Sequence, residues 1–372
     1  KPAFFAMGGG LDLVTPAIKL SPGKCFDAQN YEPDANAGYR RINGYERFDG
    51  QTAPSSADYH FISITLTGTI AVGNTVTGGT SAATGKVLGL FDTNTSLVLG
   101  RVSGTFASGE TLTVGGSAQA TTTSLAVENG APDPEDDADY RVLAAADRRT
   151  DILVVPGSGN IRGGFVYNDV CYVFRDNAGA TAGDLYKQTS SGWSKVAFGK
   201  EIQFTGAVAQ ISDGAAITGL TSGATATVVR AMLRSGTWTS AGAGTLIVSG
   251  VTGTFQSGEA IQVGGATKVT SSSLCTNIAR VVGGHVETVL GNFSGLSSTK
   301  RIYGCDGVNL AFEFDGTNYI PIRTGMTTDT PAHIAVHKSH LFLSFDAALQ
   351  FSGINAPYSW TLLTGANIIG MS

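Results

Sequence analysis

Charged residues are scarce in this 372-residue chain: they make up 14% of it, against about 25% in an average soluble domain. A low charge content is typical of membrane proteins, but no apolar run approaches the ~20 residues that a spanning helix needs. Hydrophobic residues make up 42% of the chain, which argues against disorder. The composition therefore predicts a folded chain without a transmembrane helix.

Basic residues are few as well. The chain has 24 Lys and Arg against 29 Asp and Glu, which gives a net charge of −5. Proteins that bind nucleic acid tightly carry basic patches that neutralise phosphates. This balance therefore argues against a nucleic-acid-binding protein, and any contact with DNA is expected to be weak.

Cysteine is rare and widely spaced, and no CxxC pair is present. A disulfide or metal framework needs closer or more regular spacing, so we expect four separate thiols, at Cys25, Cys171, Cys275 and Cys305. Gly8-Gly9-Gly10 interrupts the short apolar stretch near Lys1, so no signal peptide is recognised and cytoplasmic synthesis is favoured. The apolar stretch before Ser372 leads us to expect that the natural chain extends further.

Catalytic sequence motifs are missing. The chain contains no HExxH, GxSxG, Walker A or Rossmann pattern. Residues 157–163 approximate a phosphate loop with the wrong spacing, and we interpret them as a strand turn. The acidic run 133–137 lacks the spaced oxygen ligands of a calcium loop. We therefore predict no catalytic, cofactor-binding or metal-binding residues and no enzymatic activity.

Two groups of residues leave a functional alternative open. His333, His337 and His340 would share one face of a helix and could bind zinc there, but their surroundings predict a β-hairpin with His340 across the turn. Three tryptophans could form a sugar-stacking platform, although core packing is the simpler interpretation; they are Trp193, Trp238 and Trp360. Paired carboxylates for glycosidase chemistry also remain open, because they can come from anywhere in a fold.

An internal repeat is the strongest positive signal. VSGTFASGETLTVGG (102–116) returns as VTGTFQSGEAIQVGG (251–265), with ten of fifteen positions identical. Upstream, TSAATGKV (80–87) returns as TSGATATV (221–228). The connection between the two pieces is longer in the second copy, which predicts a longer hairpin around Trp238. A small β-module, either a sandwich or a barrel, has therefore been duplicated.

Glycine and turn signals place these modules within an all-β chain. Glycine occurs 50 times, about twice the usual frequency of roughly 7%. Alternation of Ile62 and Ile64 with polar residues predicts a half-buried strand. Short strands are predicted at 152–155, 164–167, 170–174, 185–187 and 193–197, and 45–48 reads as a strand between the turn dipeptides Asn43-Gly44 and Asp49-Gly50.

We predict an all-β fold, with a propeller-like body of short antiparallel strands, two inserted homologous β-modules and one short helix at about 134–149. The predicted divisions are an N-terminal arm with the first strands (1–61), module 1 (62–128), the helix and a propeller-like blade (129–203), module 2 (204–278), and further blades, incomplete at the C-terminus (279–372). An inserted module implies that deletion of 204–278 leaves the body folded.

Three strings carry a resemblance to a known family, namely RINGYERFDG (41–50), PGSGNIRGGFVYNDVCYVFRDNAG (156–179) and FEFDGTNYIPIRTGMTTDTPAHIAVHKSHLFLSF (312–345). Together they resemble structural tail proteins of tailed bacteriophages, above all the β-propeller nozzle, also called the tail-tube or stabilisation protein, of short-tailed phages. The resemblance implies a homo-oligomeric, hexameric ring in the virion tail, assembled in the host cytoplasm and free of catalytic residues.

The same resemblance implies partners. The ring would lie below the portal and adaptor proteins, dock tail fibre or tailspike proteins, and form a channel through which genomic DNA passes without specific binding or membrane insertion. The alternative is a glycan-binding or depolymerising tailspike or adhesin. A tailspike β-helix needs repeats of roughly 20 to 25 residues, whereas this chain shows two long, separated copies, which favours the nozzle.

Overall fold

The computed structural model describes residues 9–27, 30–33, 39–42, 44–360 and 367–370. In that part of the chain β-strands dominate and there is one α-helix, which confirms the predicted all-β class with a short helix. The described residues form two compact units. Unit 1 comprises those up to Arg47 together with Ala53–Arg149, and unit 2 comprises Phe48–Thr52 together with those from Thr150 onwards.

Unit 1 is built on a closed barrel. Its strands are β1 (Gly10–Leu11), β2 (Lys24–Cys25), β3 (Tyr31–Pro33), β4 (Tyr39–Arg41), β5 (Tyr59–Leu66), β6 (Thr75–Gly78), β7 (Thr84–Phe91), β8 (Ser96–Ser103), β9 (Thr111–Val114), β10 (Ser117–Thr122) and β11 (Val127–Glu128). Strands β5, β8, β7, β6, β9 and β10 pair in that order, and β10 pairs back with β5. This six-stranded antiparallel barrel is called barrel 1; closure leaves none of its six strands as a free edge.

The helix, α1 (Pro134–Arg148), follows barrel 1 and packs on it. The carboxylate of Asp133 accepts hydrogen bonds from the amides of Glu135 and Asp136, and proline occupies the first helical position, as the sequence predicts. Tyr140 is 1% exposed and lies 4.7 Å from the ring of Phe91. The helix therefore begins at a side-chain cap and is held to the barrel by aromatic packing.

Unit 2 contains a second closed barrel and three four-stranded sheets. Its strands are β12 (Ser158–Tyr167), β13 (Val170–Asp176), β14 (Gly183–Thr189), β15 (Gly192–Lys195), β16 (Lys200–Ala207), β17 (Ala216–Gly219), β18 (Thr225–Thr237), β19 (Ser240–Thr252), β20 (Ala260–Val263), β21 (Ala266–Ser271), β22 (Thr276–Asn277), β23 (Glu287–Gly291), β24 (Arg301–Cys305), β25 (Ala311–Phe314), β26 (Tyr319–Ile322), β27 (His333–His337), β28 (His340–Phe345), β29 (Ala348–Phe351) and β30 (Asn367–Gly370). Strands β16, β19, β18, β17, β20 and β21 close barrel 2 through the pairing of β21 with β16. Strands β12–β15, β23–β26 and β27–β30 form three antiparallel sheets in which chain neighbours pair.

The two barrels are copies in structure as well as in sequence. Phe106 and Phe255, at equivalent repeat positions, are both fully buried. The barrel strands together with β11 and β22 span 59–128 and 200–277, against predicted modules of 62–128 and 204–278. Barrel 2 differs by its longer β18–β19 hairpin, as predicted, and Trp238 at the turn stacks on Phe204 with ring centroids 5.4 Å apart. The extra residues therefore lengthen one hairpin and leave the rest of the barrel unchanged.

A buried glutamate fastens each barrel. In barrel 1 the Glu110 side chain accepts hydrogen bonds from the amides of Thr80 (3.2 Å), Ser81 (2.9 Å) and Ala107 (2.6 Å) and from the Ser81 hydroxyl. A Cβ on Gly78 would lie 2.5 Å from a Glu110 carboxylate oxygen, so the approach requires glycine. We call Gly78, Ser81 and Glu110 the glutamate clasp of barrel 1.

Barrel 2 repeats this arrangement. Glu259 accepts hydrogen bonds from the amides of Thr221 (3.2 Å), Ser222 (2.9 Å) and Gln256 (2.6 Å), and Gly219 again leaves room for it. The clasp joins the two repeated sequence pieces, TSxAT and SGE, at the ends of neighbouring barrel strands. This contact explains why both pieces are retained in both copies.

Barrel 2 shares a hydrophobic core with two of the four-stranded sheets. Met232 and Ile247 of the barrel belong to the same buried cluster as Phe174 of β13 and Phe312 and Phe314 of β25. A shared core makes the barrel part of the cooperative unit rather than an appendage. This packing runs against the expectation that residues 204–278 can be removed without unfolding the body.

Two predicted strands are wrong. Residues 152–155 form no strand; the amide of Leu153 instead donates to the Asp49 carboxylate (2.9 Å), and the first strand of that sheet is Ser158–Tyr167. Residues 45–48 also lie outside any strand, and the Tyr45 side chain is 93% exposed. Asn43 lies outside the described residues. In both segments turn signals along the chain predict a strand, but no described strand pairs with the backbone.

Candidate functional site

The three histidines lie on the predicted hairpin. His333 and His337 are in β27, and His337 pairs with His340 of β28 across a two-residue turn in which Lys338 and Ser339 have φ of 46° and 63°. The Nδ1 atom of His333 lies 3.0 Å from Glu287, whereas Nδ1 of His340 lies 2.5 Å from the carbonyl oxygen of Ser352. Within the described residues no group of histidine, cysteine and carboxylate side chains has the geometry of a metal site.

The three tryptophans lie in separate packing environments. Trp193 donates through Nε1 to the carbonyl oxygen of Leu153 (3.3 Å), Trp238 stacks on Phe204, and Trp360 is 7% exposed in a core cluster with Leu341. Side chains with these separate packing roles do not form one platform. The structure therefore does not assemble the sugar-stacking surface considered from the sequence.

The remaining sequence candidates have structural roles. Most of the glycine-rich segment 157–163 lies in β12, whose register shifts there, so it forms a bulged strand start rather than a phosphate loop. The first acid of the run 133–137, Asp133, caps α1. The four cysteines are free thiols, and burial raises the pKa of Cys305 to about 12.

The densest group of charged and phenolic side chains surrounds Arg230 of β18. Its Nη1 atom donates to the carboxylate of Glu313 at 3.0 Å, and Asp213 and Asp315 lie 3.2 and 3.6 Å from other guanidinium nitrogens. The second Glu313 oxygen accepts the hydroxyl of Tyr303 at 2.8 Å. This ionic network joins barrel 2 to the sheet β23–β26.

The centre of the Arg230 network is buried, whereas the Asp213 side chain at its edge is 53% exposed. Glu313 is 1% exposed and Tyr303 is 3% exposed. Burial, followed by the adjacent Glu313 charge, raises the pKa of Tyr303 and of Tyr358 well above the ordinary value. These phenols stay protonated at physiological pH. We call the ion pairs of Arg230, which connect barrel 2 with the sheet β23–β26, the ion-pair lock.

A second buried cation, Arg280, contacts residues of the sheets β12–β15 and β23–β26. The Arg280 guanidinium lies 4.6 Å from the ring centroid of Phe174, pairs with Asp306 and donates to the Tyr319 hydroxyl at 2.5 Å. Asp306 also accepts from the Asn309 side chain at 2.7 Å, which fixes the β24–β25 turn. The Arg280 charge is therefore balanced by Asp306, and its guanidinium packs on the Phe174 ring.

The described part of unit 2 contains an open cavity of about 350 Å³. It lies where the sheet β12–β15, barrel 2 and the β25–β26 turn meet. The lining residues come from five separate segments, namely Lys187, Lys195–Gly199, Val229, Ile247–Ser249 and Gly316–Asn318. No acidic side chain is among them.

No sequence motif marks this cavity, because its lining is spread over some 130 residues. One weak signal was available at Lys187. It lies two positions after the fully buried Leu185 in β14, so both occupy the same face of the strand. A lysine on the inward face of a strand indicates that its ammonium either pairs with a buried acidic group or borders a cavity.

Comparisons with protein-family models, with curated proteins and with solved structures found no match for this chain. Among the described residues, no helix has both the length and the apolar character that crossing a bilayer requires.

Proposed function

We propose that this chain is a structural protein of a bacteriophage tail, of the nozzle or tail-tube type. In this proposal the three four-stranded sheets are blades of a propeller-like body into which barrel 2 is inserted. The chain forms a hexameric ring below the portal and adaptor proteins, docks tail fibre or tailspike proteins, and lines a channel for genomic DNA in the virion.

The observation that carries the proposal is the apolar surface of residues 9–27. Leu13, Val14 and Ile18 are 77%, 92% and 93% exposed. The segment is nevertheless braced, because the Asp12 carboxylate accepts the amide of Thr15 at 3.0 Å and pairs with Lys24 at 3.0 Å. Large apolar side chains held outward on a fixed backbone favour a surface that another subunit covers.

The duplicated barrels supply a second argument. Leu125 and Leu274 are equivalent, identical between the copies, and 58% and 53% exposed. The serine before each leucine, Ser124 or Ser273, accepts a backbone amide of the first barrel strand at 3.0 Å, which fixes both loops in the same way. A surface presented twice by one chain suits repeated partners of a symmetric assembly.

The test is native mass spectrometry with negative-stain imaging of the full chain, alone and mixed with the connector proteins of the same virion. We expect rings of six, or rings that appear only on the connector. Val14→Asp with Ile18→Asp should abolish assembly, whereas Val72→Asp, at a turn residue 66% exposed in barrel 1, should not.

A monomer or trimer that ignores the connector would refute the nozzle. That result would favour the alternative, a glycan-binding or depolymerising tailspike or adhesin, which binding to an array of bacterial surface glycans would then test. Assembly that is unaffected by the Val14 and Ile18 changes would remove residues 9–27 as its cause.

A further inference from the structure

The cavity of unit 2 has an apolar floor. Val196, Phe198, Val229 and Ile247 line it, and all four belong to or pack against the hydrophobic cluster shared by barrel 2 and the sheets. These side chains offer no hydrogen bond to water or to a polar ligand. At about 350 Å³ the cavity falls within the roughly 300–1,000 Å³ of small-molecule sites.

The rim of the cavity is cationic. Lys195 already pairs with Asp184 at 2.8 Å, and its side chain is 58% exposed. Lys187 is half-buried and has no ion-pair partner among the described residues. A lysine without an ion-pair partner in an apolar cavity is available to pair with a negative group of a ligand.

Polar side chains line the same cavity as Lys187. Ser249, Thr317 and Asn318 contribute hydroxyl and amide groups to the lining, and the Asn318 amide nitrogen is held by the Asp315 carboxylate at 3.0 Å. Hydroxyl and amide donors at the edge of an apolar pocket orient the polar end of a ligand. An apolar body with one negative end therefore matches both the floor and the rim.

We propose that this cavity binds a small amphipathic anion, with its carboxylate or sulfonate group at Lys187 and its apolar body on Val229 and Ile247. The site is independent of the proposed tail function, since it lies within one chain. No acidic lining residue opposes such a ligand.

The experiment uses the full-length protein and the probe 8-anilinonaphthalene-1-sulfonate at low ionic strength. Binding is measured by fluorescence titration and by calorimetry. We expect one saturable site that Lys187→Glu weakens at least tenfold and that Val229→Phe removes by filling the cavity. Lys268→Glu makes the same charge change in barrel 2 outside the cavity and should leave the affinity unchanged.

A second probe separates the contribution of the Lys187 charge from that of the apolar lining. The uncharged analogue, N-phenyl-1-naphthylamine, should bind the wild type more weakly than the sulfonate does and should not distinguish Lys187→Glu from the wild type. Circular dichroism establishes that each variant folds; should Val229→Phe fail to fold, Lys187→Glu with the two probes decides alone. Equal sulfonate affinity in Lys187→Glu and Lys268→Glu, or weak unsaturable binding in all variants, would overturn the proposal.

Discussion

Replacement of Glu110 by glutamine should selectively destabilise barrel 1. One Glu110 oxygen accepts the amides of Thr80 and Ser81, and the other accepts the amide of Ala107 at 2.6 Å. Glutamine keeps one carbonyl oxygen, so at least one of these amides would face an NH₂ group. Since a hydrogen bond to a charged acceptor contributes about 1.5–3 kcal/mol and an unsatisfied buried group costs about 1–3 kcal/mol, we expect a loss of about 2–4 kcal/mol.

The assay is native-state hydrogen exchange followed by mass spectrometry. Peptides from residues 59–128 should lose protection, whereas peptides from 200–277 should not, because barrel 2 keeps its own clasp at Glu259. Glu128→Gln is the matched control, since this glutamate is exposed on β11. It should change the free energy of opening by no more than roughly 0.5 kcal/mol.

The effect of Glu110→Gln should depend on pH. Burial by itself raises the pKa of Glu110, but the hydrogen bonds donated by Ser81 and Ala107 outweigh burial and lower the pKa below 4.5. Ionised Glu110 therefore stabilises the barrel above the unfolded-state pKa of about 4.3, and this contribution is lost as the pH falls through the folded-state pKa. The difference from wild type should be complete at neutral pH and shrink in acid.

Two results would refute the role of the clasp. Protection of residues 59–128 in Glu110→Gln equal to that in Glu128→Gln would show that the hydrogen bonds contribute no net stability. A difference from wild type that stays constant from neutral to acid pH would show that the charge of Glu110 is not the cause.

Three further predictions concern unit 2. Arg230→Met should destabilise it by about 3–5 kcal/mol, because buried Glu313 loses its partner, and adding Glu313→Gln should recover part of the loss in urea denaturation; an Arg230→Met protein as stable as wild type would contradict the lock. Cys305 should resist iodoacetamide at pH 8 in the native protein, since burial raises its pKa to about 12, and should react once guanidinium unfolds the chain, as peptide mass spectrometry can check. Deletion of 204–278 should abolish cooperative thermal unfolding of unit 2, because it removes part of the shared core; a sharp transition with native near-ultraviolet circular dichroism would instead support an independent insert.

Local signals in the sequence predicted much of the fold. The proline at the start, the acids in the first turn and the arginine in the last turn located α1 to within a residue, because such signals depend on neighbours along the chain. The turn at Lys338-Ser339 was found for the same reason. The predicted strand at 152–155 is wrong, since turn signals and apolar residues cannot show whether a partner strand exists.

Less of the candidate sites than of the fold could be predicted from the sequence. The repeat shows that Glu110 and Ser81 have identical counterparts in the second copy. It does not show that the two side chains contact each other at the ends of neighbouring strands. Arg230 and Glu313 are 83 positions apart and have no motif around them. Charged residues in separate strands reveal an ion pair only once packing brings them together and removes water.

The sequence by itself determined that this is an all-β chain carrying a duplicated module and a capped helix, because periodicity, turn residues and repeats are local properties. The tertiary structure decided that both modules close into six-stranded barrels, that barrel 2 shares its core with the sheets, and that Lys187 borders a cavity. Each of these features depends on pairing or packing between segments distant in the chain. Their free energy comes from the surfaces that meet in the folded state, which no single stretch of sequence contains.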